Sequence, residues 1–255
     1  ASSSEGETCS APDNGSGTAD LPAPCPYATG EDKMMIIDGL PPGTTIEIDF
    51  LLDEHTCGSP PCEAPGGGLG GNQEVFDSTL TLQLTGTGEL AGFTRTIGLP
   101  ASSVIDTGPR TPEEPIQLFS ANYVQLDAGL VGDPDFDLLQ ITAGDGYGMP
   151  SPGQTTLTEL GGGLYHIDSF FDITYQIDFT GAPGSVLEGL SGTTVGTSRI
   201  QQGESAPAGE GGGWDHCGYF GIIFGDYNVP LDSYSDGYGD PFYYYPNTDW
   251  WNSWF

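Results

Sequence analysis

Residues 166–179, HIDSFFDITYQIDF, alternate between two kinds of side chain along their whole length. The odd-numbered positions are mostly apolar and the even-numbered ones mostly acidic or polar; the odd-numbered set is Ile167, Ser169, Phe171, Ile173, Tyr175, Ile177 and Phe179. Successive side chains of a strand point to opposite faces of a sheet, so a period of two is typical of an antiparallel strand with one buried face. The stretch therefore predicts a long, half-buried β-strand.

The same period recurs along the chain. It is clear in residues 46–52 and 76–85 and weaker in residues 93–99, 123–126, 138–142, 155–160 and 192–200. Glycine-rich and proline-rich turn signals such as Gly86-Thr87-Gly88 separate these segments, and no stretch shows a convincing helical period. Many short strands joined by such turns indicate an all-β fold, here an antiparallel β-sandwich or jelly-roll.

The composition predicts four segments. Residues 1–35 are small, polar and proline-rich, which indicates an extended N-terminal arm, and residues 36–200 hold the strand patterns of the β-sandwich domain. Residues 201–213 are rich in glycine and are typical of a linker. Residues 214–255 form an aromatic C-terminal segment, predicted to be a docking tail.

The charge balance excludes whole classes of partner. Of 255 residues, 36 are acidic and only 4 are basic, which gives a formal net charge of −32. A phosphate backbone requires a basic footprint, so nucleic acid is excluded as a partner, and an anionic membrane surface is disfavoured for the same reason. No apolar run is long enough to predict a membrane-spanning helix.

The cysteines and the first residues indicate a secreted protein. Cys57 and Cys62 flank a short turn that a local disulfide could close, and Cys9 and Cys25 are the natural second pair, although other pairings and free buried thiols remain open. Cys217 is then left as a buried thiol or a cross-link to another chain. Such a framework suits an oxidising, extracellular compartment. The start, Ala-Ser-Ser-Ser, is what cleavage of a signal peptide would leave.

Several strand and turn signatures carry a resemblance to a known group of proteins. They are Phe76-Asp77-Ser78-Thr79-Leu80, Pro109-Arg110-Thr111-Pro112, Gly132-Asp133-Pro134-Asp135-Phe136, Pro150-Ser151-Pro152-Gly153 and Asp168-Ser169-Phe170-Phe171-Asp172-Ile173. With these, the chain resembles secreted β-rich modules in surface and extracellular proteins of environmental bacteria such as planctomycetes. The resemblance covers about residues 36–200. It implies secretion and a β architecture, and it supplies no catalytic residues.

Catalytic patterns are weak. His166 lies on the polar face of a predicted strand, where a solvated histidine is expected, and His216 next to Cys217 is a lone pair of potential metal ligands without a partner spacing. Neither a Gly-x-Ser-x-Gly elbow nor a phosphate-binding Gly-Lys-Ser/Thr loop occurs. Only four cations are available to stabilise an oxyanion. We therefore expect a protein that is not an enzyme.

Calcium is the one cofactor that the sequence suggests. Carboxylates alternate in one glycine- and proline-containing loop and recur in a second glycine-rich loop; the candidate ligands are Asp133, Asp135 and Asp137, then Asp232, Asp236 and Asp240. Hard oxygen ligands in such turns suit Ca²⁺, but neither loop has the spacing of an EF-hand, and Asp is common in turns. Asn14-Gly15-Ser16 is the one N-glycosylation acceptor sequence.

The C-terminal segment is unlike the rest of the chain. Residues 219–255 hold 14 of the 28 aromatic residues and no Lys or Arg. The candidate interface residues are Phe220, Ile222, Phe224, Tyr243, Tyr244, Tyr245, Trp250, Trp251, Trp254 and Phe255. This segment could cover an open sheet edge of its own domain, or pair with an edge strand of a neighbouring copy; the second alternative is favoured because the segment is very aromatic for a cover strand.

These observations predict a function. We expect a structural subunit of an extracellular filament or pilus-like surface appendage, in which copies of the chain form a helical homo-polymer. The alternative is a secreted carbohydrate-binding β-sandwich module, since exposed Tyr and Trp can stack on sugar rings.

Overall fold

The computed structural model describes residues 9–30 and 32–202, and these residues form an all-β structure. The twelve strands are β1 (Ser10–Pro12), β2 (Tyr27–Thr29), β3 (Met34–Ile36), β4 (Ile46–Thr56), β5 (Glu63–Pro65), β6 (Asn72–Gly86), β7 (Thr94–Thr107), β8 (Ile116–Val131), β9 (Phe136–Ala143), β10 (Pro152–Gly161), β11 (Leu164–Gly181) and β12 (Ser191–Gln202). Within this part of the chain the helices are two single 3₁₀ turns, Gly88–Leu90 and Asp145–Tyr147. None of the described residues belongs to a helix with the length and apolarity needed to cross a membrane.

The strands form one antiparallel sheet whose pairing returns to its starting strand. From β4 the path runs through β6, β7 and β8, then through β10 to β11, β12 and β2, and β2 pairs with β4 again. β9 and β10 lie end to end between β8 and β11, with β10 pairing residues 116–122 of β8 and β9 pairing residues 126–131. β2 pairs with both β12 and β4, and β3 pairs with β4 next to it, along residues 46–48.

The sheet separates into two layers at one end. β7 pairs with β8 only through residues 101–107, while residues 94–100 of β7 pair with β6 and with no other described strand. Leu82 and Leu99 from one layer and Ile141 and Ile177 from the other join the same buried cluster. This sandwich-like antiparallel arrangement confirms the predicted fold class.

Two hydrophobic cores fill the interior. The larger core lies between the layers, and the odd-numbered residues of β11 from Phe171 to Phe179 contribute to it, as the period of two predicts. The smaller core combines Phe119, Leu157, Tyr165 and Ile167 with apolar residues of the arm. The same inward face of β11 therefore serves both cores, and the arm closes one end of the domain.

The predicted arm is more integrated than an extended segment would be. β1 pairs with residues 164–166 of β11, and β2 joins β12 to β4. Leu21 and Ala23 lie almost completely buried in the smaller core. Residues 9–29 thus complete the sheet and its packing.

Candidate interaction surface

Four large aliphatic side chains are exposed at one end of the sheet, two at alternate positions of β8 and two beside the turn that joins β10 to β11. They are Ile116 and Leu118 of β8, Leu160 of β10 and Leu164 of β11, and each is 42–63% exposed. In the register, Leu118 faces Thr156 and Ile116 faces Thr158, so two threonines of β10 lie beside the β8 aliphatics. We call Ile116, Leu118, Leu160 and Leu164 the apolar patch. Contiguous exposed apolar side chains mark interaction sites in soluble proteins.

The start of β8 has an inverted pattern that explains this surface. Inward-facing Gln117 is 2% exposed, and its side chain accepts a hydrogen bond from the Thr18 hydroxyl at 2.8 Å and donates one to the Gly17 carbonyl at 2.7 Å. The interior position is therefore polar because it holds the arm. The outward neighbours, Ile116 and Leu118, are apolar where a half-buried strand normally carries polar residues.

Both predicted disulfides are confirmed. Cys9 and Cys25 are bonded with their Cα atoms 5.7 Å apart, and Cys57 and Cys62 with theirs 5.6 Å apart. The first bond closes the arm upon itself within the smaller core, which contains both sulfur-bearing residues. The second closes the loop between β4 and β5. Cys217 lies outside the described residues.

The first predicted calcium loop binds an arginine side chain instead. The Arg95 guanidinium contacts Asp133 at 2.9 Å and Asp135 at 3.4 Å. Burial alone would raise the pKa of Asp133, but hydrogen bonds from the Asp135 amide and Arg95 outweigh it and hold the pKa below its usual value. Nowhere in residues 9–30 and 32–202 do three His, Cys, Asp or Glu side chains come together as a metal site. The expected grouping of Asp133, Asp135 and Asp137 as ligands is thus unsupported.

Every cation of the chain forms an ion pair. The pairs are Lys33 with Asp49, Arg95 with Asp133 and Asp135, Arg110 with Glu63, and Arg199 with Asp172. The Arg110–Glu63 pair is buried, with side chains 7% and 6% exposed, whereas the Arg199–Asp172 pair is 43% and 51% exposed. With four Lys and Arg in the full sequence, no cation is left over for an anionic ligand.

The two described histidines have structural contacts. The prediction of a solvated His166 is wrong: this residue is 7% exposed, because Cys9 and β1 lie against it, and its Nδ1 lies 3.0 Å from the Cys9 carbonyl oxygen. His55 Nδ1 lies 2.9 Å from the Ala23 carbonyl oxygen, and its ring packs against Phe76 at a centroid distance of 4.9 Å. Burial lowers the pKa of His55.

A buried carboxyl group that sequence patterns did not single out lies on an inward-facing position of β6. Glu74 is 2% exposed on β6, opposite Ile105 of β7 and Glu63 of β5. Burial raises the pKa of Glu74 to about 8, against the opposing influence of Arg110. Burial also raises the pKa values of Tyr27 and Tyr123, and the charge of Glu74 adds to both increases. A single Glu on an inward-facing strand position is the one sequence signal that could have indicated this group.

A pocket of about 280 Å³ lies next to the short disulfide. The Cys57–Cys62 loop, Glu63 and Gln73 line it. Glu63 is already paired with Arg110, and the Gln73 amide donates to Asp106 at 2.9 Å. The side chains of Glu63 and Gln73 are therefore committed to contacts within the protein itself.

The remaining candidate residues divide into two groups. Asn14 is exposed in a turn of the arm, where its side-chain oxygen accepts a hydrogen bond from the Ser16 hydroxyl at 2.6 Å. The other candidates lie outside the described residues: the second acidic loop (Asp232, Asp236 and Asp240), His216, and all of the predicted interface residues from Phe220 to Phe255.

Comparisons with known proteins give no relatives. No family model matches the chain, and neither a curated protein nor a solved structure matches it. The resemblance to secreted bacterial modules therefore stays a prediction.

Proposed function

We propose that this protein is a secreted, non-enzymatic structural subunit of an extracellular filament or surface appendage, in which a terminal segment of one copy docks on the next. The observation that carries the proposal is the contrast between residues 9–202 and the segment that follows. Residues 9–30 and 32–202 form a β domain with two packed cores and two disulfides. Half of the aromatic residues of the chain lie beyond it, in residues 219–255.

The disulfides support the secreted location. Two bonded pairs within one β domain are consistent with an oxidising compartment, where such bonds form and persist. A subunit of an external filament also requires a domain that survives without chaperones. The two disulfides and the pairing path that returns to β4 both stabilise the folded domain against unfolding.

The aromatic segment supports assembly. Large aromatic side chains stabilise interfaces by about 1.5–3 kcal/mol each when they become buried. A segment with 14 such side chains and no Lys or Arg therefore gains free energy when it is buried against a protein surface. A contact between two different surfaces of successive copies propagates into an open helical polymer.

The test compares the full chain with a variant of equal length. In the variant, Trp250, Trp251, Trp254 and Phe255 are replaced by Ser, which keeps the chain length and the net charge. We expect the wild-type chain to form filaments in negative-stain electron micrographs and high-mass species in light scattering, and the variant to remain a folded monomer. Wild-type protein that is monomeric at every concentration would disprove the proposal.

Carbohydrate binding is the second candidate, and one feature of the described domain favours it. Tyr147 is 42% exposed in the loop between β9 and β10, and its hydroxyl donates to Asp127 at 2.9 Å. Asn122 and Asp145 lie nearby and are hydrogen-bonded to each other at 2.8 Å. An exposed ring beside polar groups is suited to stacking on a sugar. Retention of wild-type protein, but not of Tyr147→Ala, on immobilised glycans would favour this role.

A further inference from the structure

We propose that the apolar patch is the surface on which residues 218–255 of a neighbouring copy dock. This inference rests on the proposed function and extends it by naming the acceptor. The patch consists of Ile116, Leu118, Leu160 and Leu164, as defined above.

The patch departs from the mostly polar pattern on the outer face of β11. Along β11 the outward positions beyond the patch are Asp168, Phe170, Asp172, Thr174, Gln176 and Asp178, and the one apolar ring among them, Phe170, is covered by the Arg199 guanidinium at 4.3 Å. Alternation of this kind keeps the solvent face of an antiparallel sheet polar. Ile116 and Leu118 break it without contributing to either core. Their exposure therefore has no role in the packing of their own domain.

The chemistry of the patch matches the aromatic segment. The patch and its two neighbouring threonines, Thr156 and Thr158, contain no charged side chain in a protein with a net charge of −32, and Asp168 lies opposite Thr156 at their border. The segment has aromatic residues in abundance and five Asp, but no cation. An ion-paired contact with an acidic domain is therefore excluded for it, and an apolar contact is what its composition allows.

The free edge of β7 is a poorer acceptor. Its residues 94–100 lack a partner on one side among the described strands, as an added strand would require. However, Pro100 has no backbone N–H, and Arg95 is held across this edge by Asp133 and Asp135. Ile97 and Leu99 are also only 6% and 0% exposed, so the core behind this edge is already covered.

The position of the last described residue, Gln202, allows residues 218–255 to reach the apolar patch. Gln202 is in register with Ser169, Thr155 and Phe119, in the row next to that of Leu118. Three strand spacings separate the first and last of these residues, which is about 14 Å. Residues 203–213 extend to about 36 Å when fully stretched. They can therefore carry the aromatic residues past the edge of their own domain to the same patch on the next copy.

The first experiment uses two full-length double variants with matched charge. Ile116→Glu with Leu118→Glu alters the patch, and Val186→Glu with Val195→Glu is the control, because these valines are exposed by 58–64% elsewhere on the surface. Circular dichroism and thermal melting first establish that both variants are folded. Light scattering then gives the concentration at which half of the chain is assembled.

We expect the patch variant to raise that concentration by about tenfold or more, since a charge buried without a partner opposes association. The control should behave like wild type. If wild type and both variants assemble alike, the proposed function stands and the patch is not the acceptor. If the wild type never assembles, both proposals fail.

The second experiment identifies the occupant. A benzophenone amino acid replaces Leu118 in full-length chain, and ¹⁴N- and ¹⁵N-labelled preparations are mixed before assembly and irradiation. We expect cross-links from position 118 to residues 218–255 in which the two peptides carry different isotopes. Cross-links to this segment in isotopically uniform pairs alone would show docking within one chain and overturn the inference. So would cross-links to any other region.

Discussion

The carboxyl group of Glu74 loses nearly all contact with water when β5, β6 and β7 pair. Its neighbour Arg110 is the closest source of positive charge, but that guanidinium is already bound to Glu63 and to the Ala19 carbonyl oxygen at 2.7 Å. The pKa of Glu74 in the folded protein is therefore raised to about 8, and the carboxyl group stays protonated below that pH. In the unfolded chain a Glu ionises near its usual pKa, so folding and proton uptake are coupled at this position.

The Glu74→Gln variant tests this coupling. Between the unfolded pKa of about 4.3 and the folded pKa of about 8, the unfolded state binds fewer protons than the folded state. The contribution of Glu74 to the free energy of unfolding of the wild type is therefore highest below about pH 4.3 and falls as the pH rises towards 8. We expect the two proteins to have similar free energies of unfolding at pH 4.5, and the variant to be more stable by about 2–5 kcal/mol at pH 8. Urea unfolding across this pH range measures the difference. Glu159→Gln, at an exposed strand position, is the matched control for the removal of one carboxylate.

Two arginine pairs provide a second test at the residue scale. Arg110→Met leaves Glu63 buried without its partner, and such a loss costs about 3–5 kcal/mol of stability. Arg199→Met removes an exposed pair with Asp172, which is worth about 0–1 kcal/mol. Thermal and chemical unfolding of both variants gives the comparison. Equal losses would contradict the difference in burial.

Sequence reasoning located some residues correctly and missed others for a definite reason. Cys57 and Cys62 are close along the chain, so their bond follows from local geometry, and Cys9–Cys25 then follows from proximity as well. The burial of Glu74 and of His166 depends on how strands pair. Glu74 lies between Glu63 of β5 and Ile105 of β7, and His166 is covered by Cys9, which is 157 residues away. No local pattern contains that information.

At the scale of elements, the arm behaves as part of the domain. Its disulfide closes a loop with a sequence separation of 16 inside the smaller core, while the other closes a loop with a separation of 5 at the surface. In the chain-entropy description, longer loops yield more stabilisation, about 3 kcal/mol for the first and about 2 kcal/mol for the second.

We therefore expect Cys9→Ala with Cys25→Ala to destabilise the protein more than Cys57→Ala with Cys62→Ala. Cys9 and Cys25 also pack against Phe119 and Leu157, so their removal loosens contacts as well as the loop. Urea unfolding monitored by fluorescence measures both variants. A larger loss from the second pair would mean that the smaller core contributes little.

The strands themselves were largely predictable, and their partners were not. The alternation in residues 166–179 lies within β11, and the weaker patterns at 138–142 and 155–160 lie within β9 and β10. Alternation of apolar and polar residues shows which face of a strand is buried, because the apolar residues are those that pack against the core. It does not report that β9 and β10 share one position between β8 and β11, or that the three-residue β2 joins β12 to β4. The strand β2 is too short to show a period.

At the scale of the whole molecule, the net charge governs how closely copies can approach. A charge of −32 on every copy produces long-range repulsion, which salt screens over a distance of about 8 Å at physiological ionic strength. We expect assembly to strengthen as sodium chloride rises from about 10 mM to 500 mM, because the proposed contact is apolar and the repulsion is electrostatic. Sedimentation velocity at several salt concentrations measures it. Assembly that weakens with salt would point to an ionic contact instead.

The small number of Lys and Arg residues has a consequence for proteolysis of this protein. Proteases that cut after Lys or Arg find four target bonds in 255 residues, and the last of them follows Arg199. Arg95 and Arg199 lie within strands, and Arg110 is buried with Glu63. Residues 200–255 offer such enzymes no target at all. Trypsin digestion should therefore leave the aromatic residues attached to the folded domain, whereas chymotrypsin, which cuts after large aromatic residues that do not precede Pro, has twelve candidate bonds within residues 219–255.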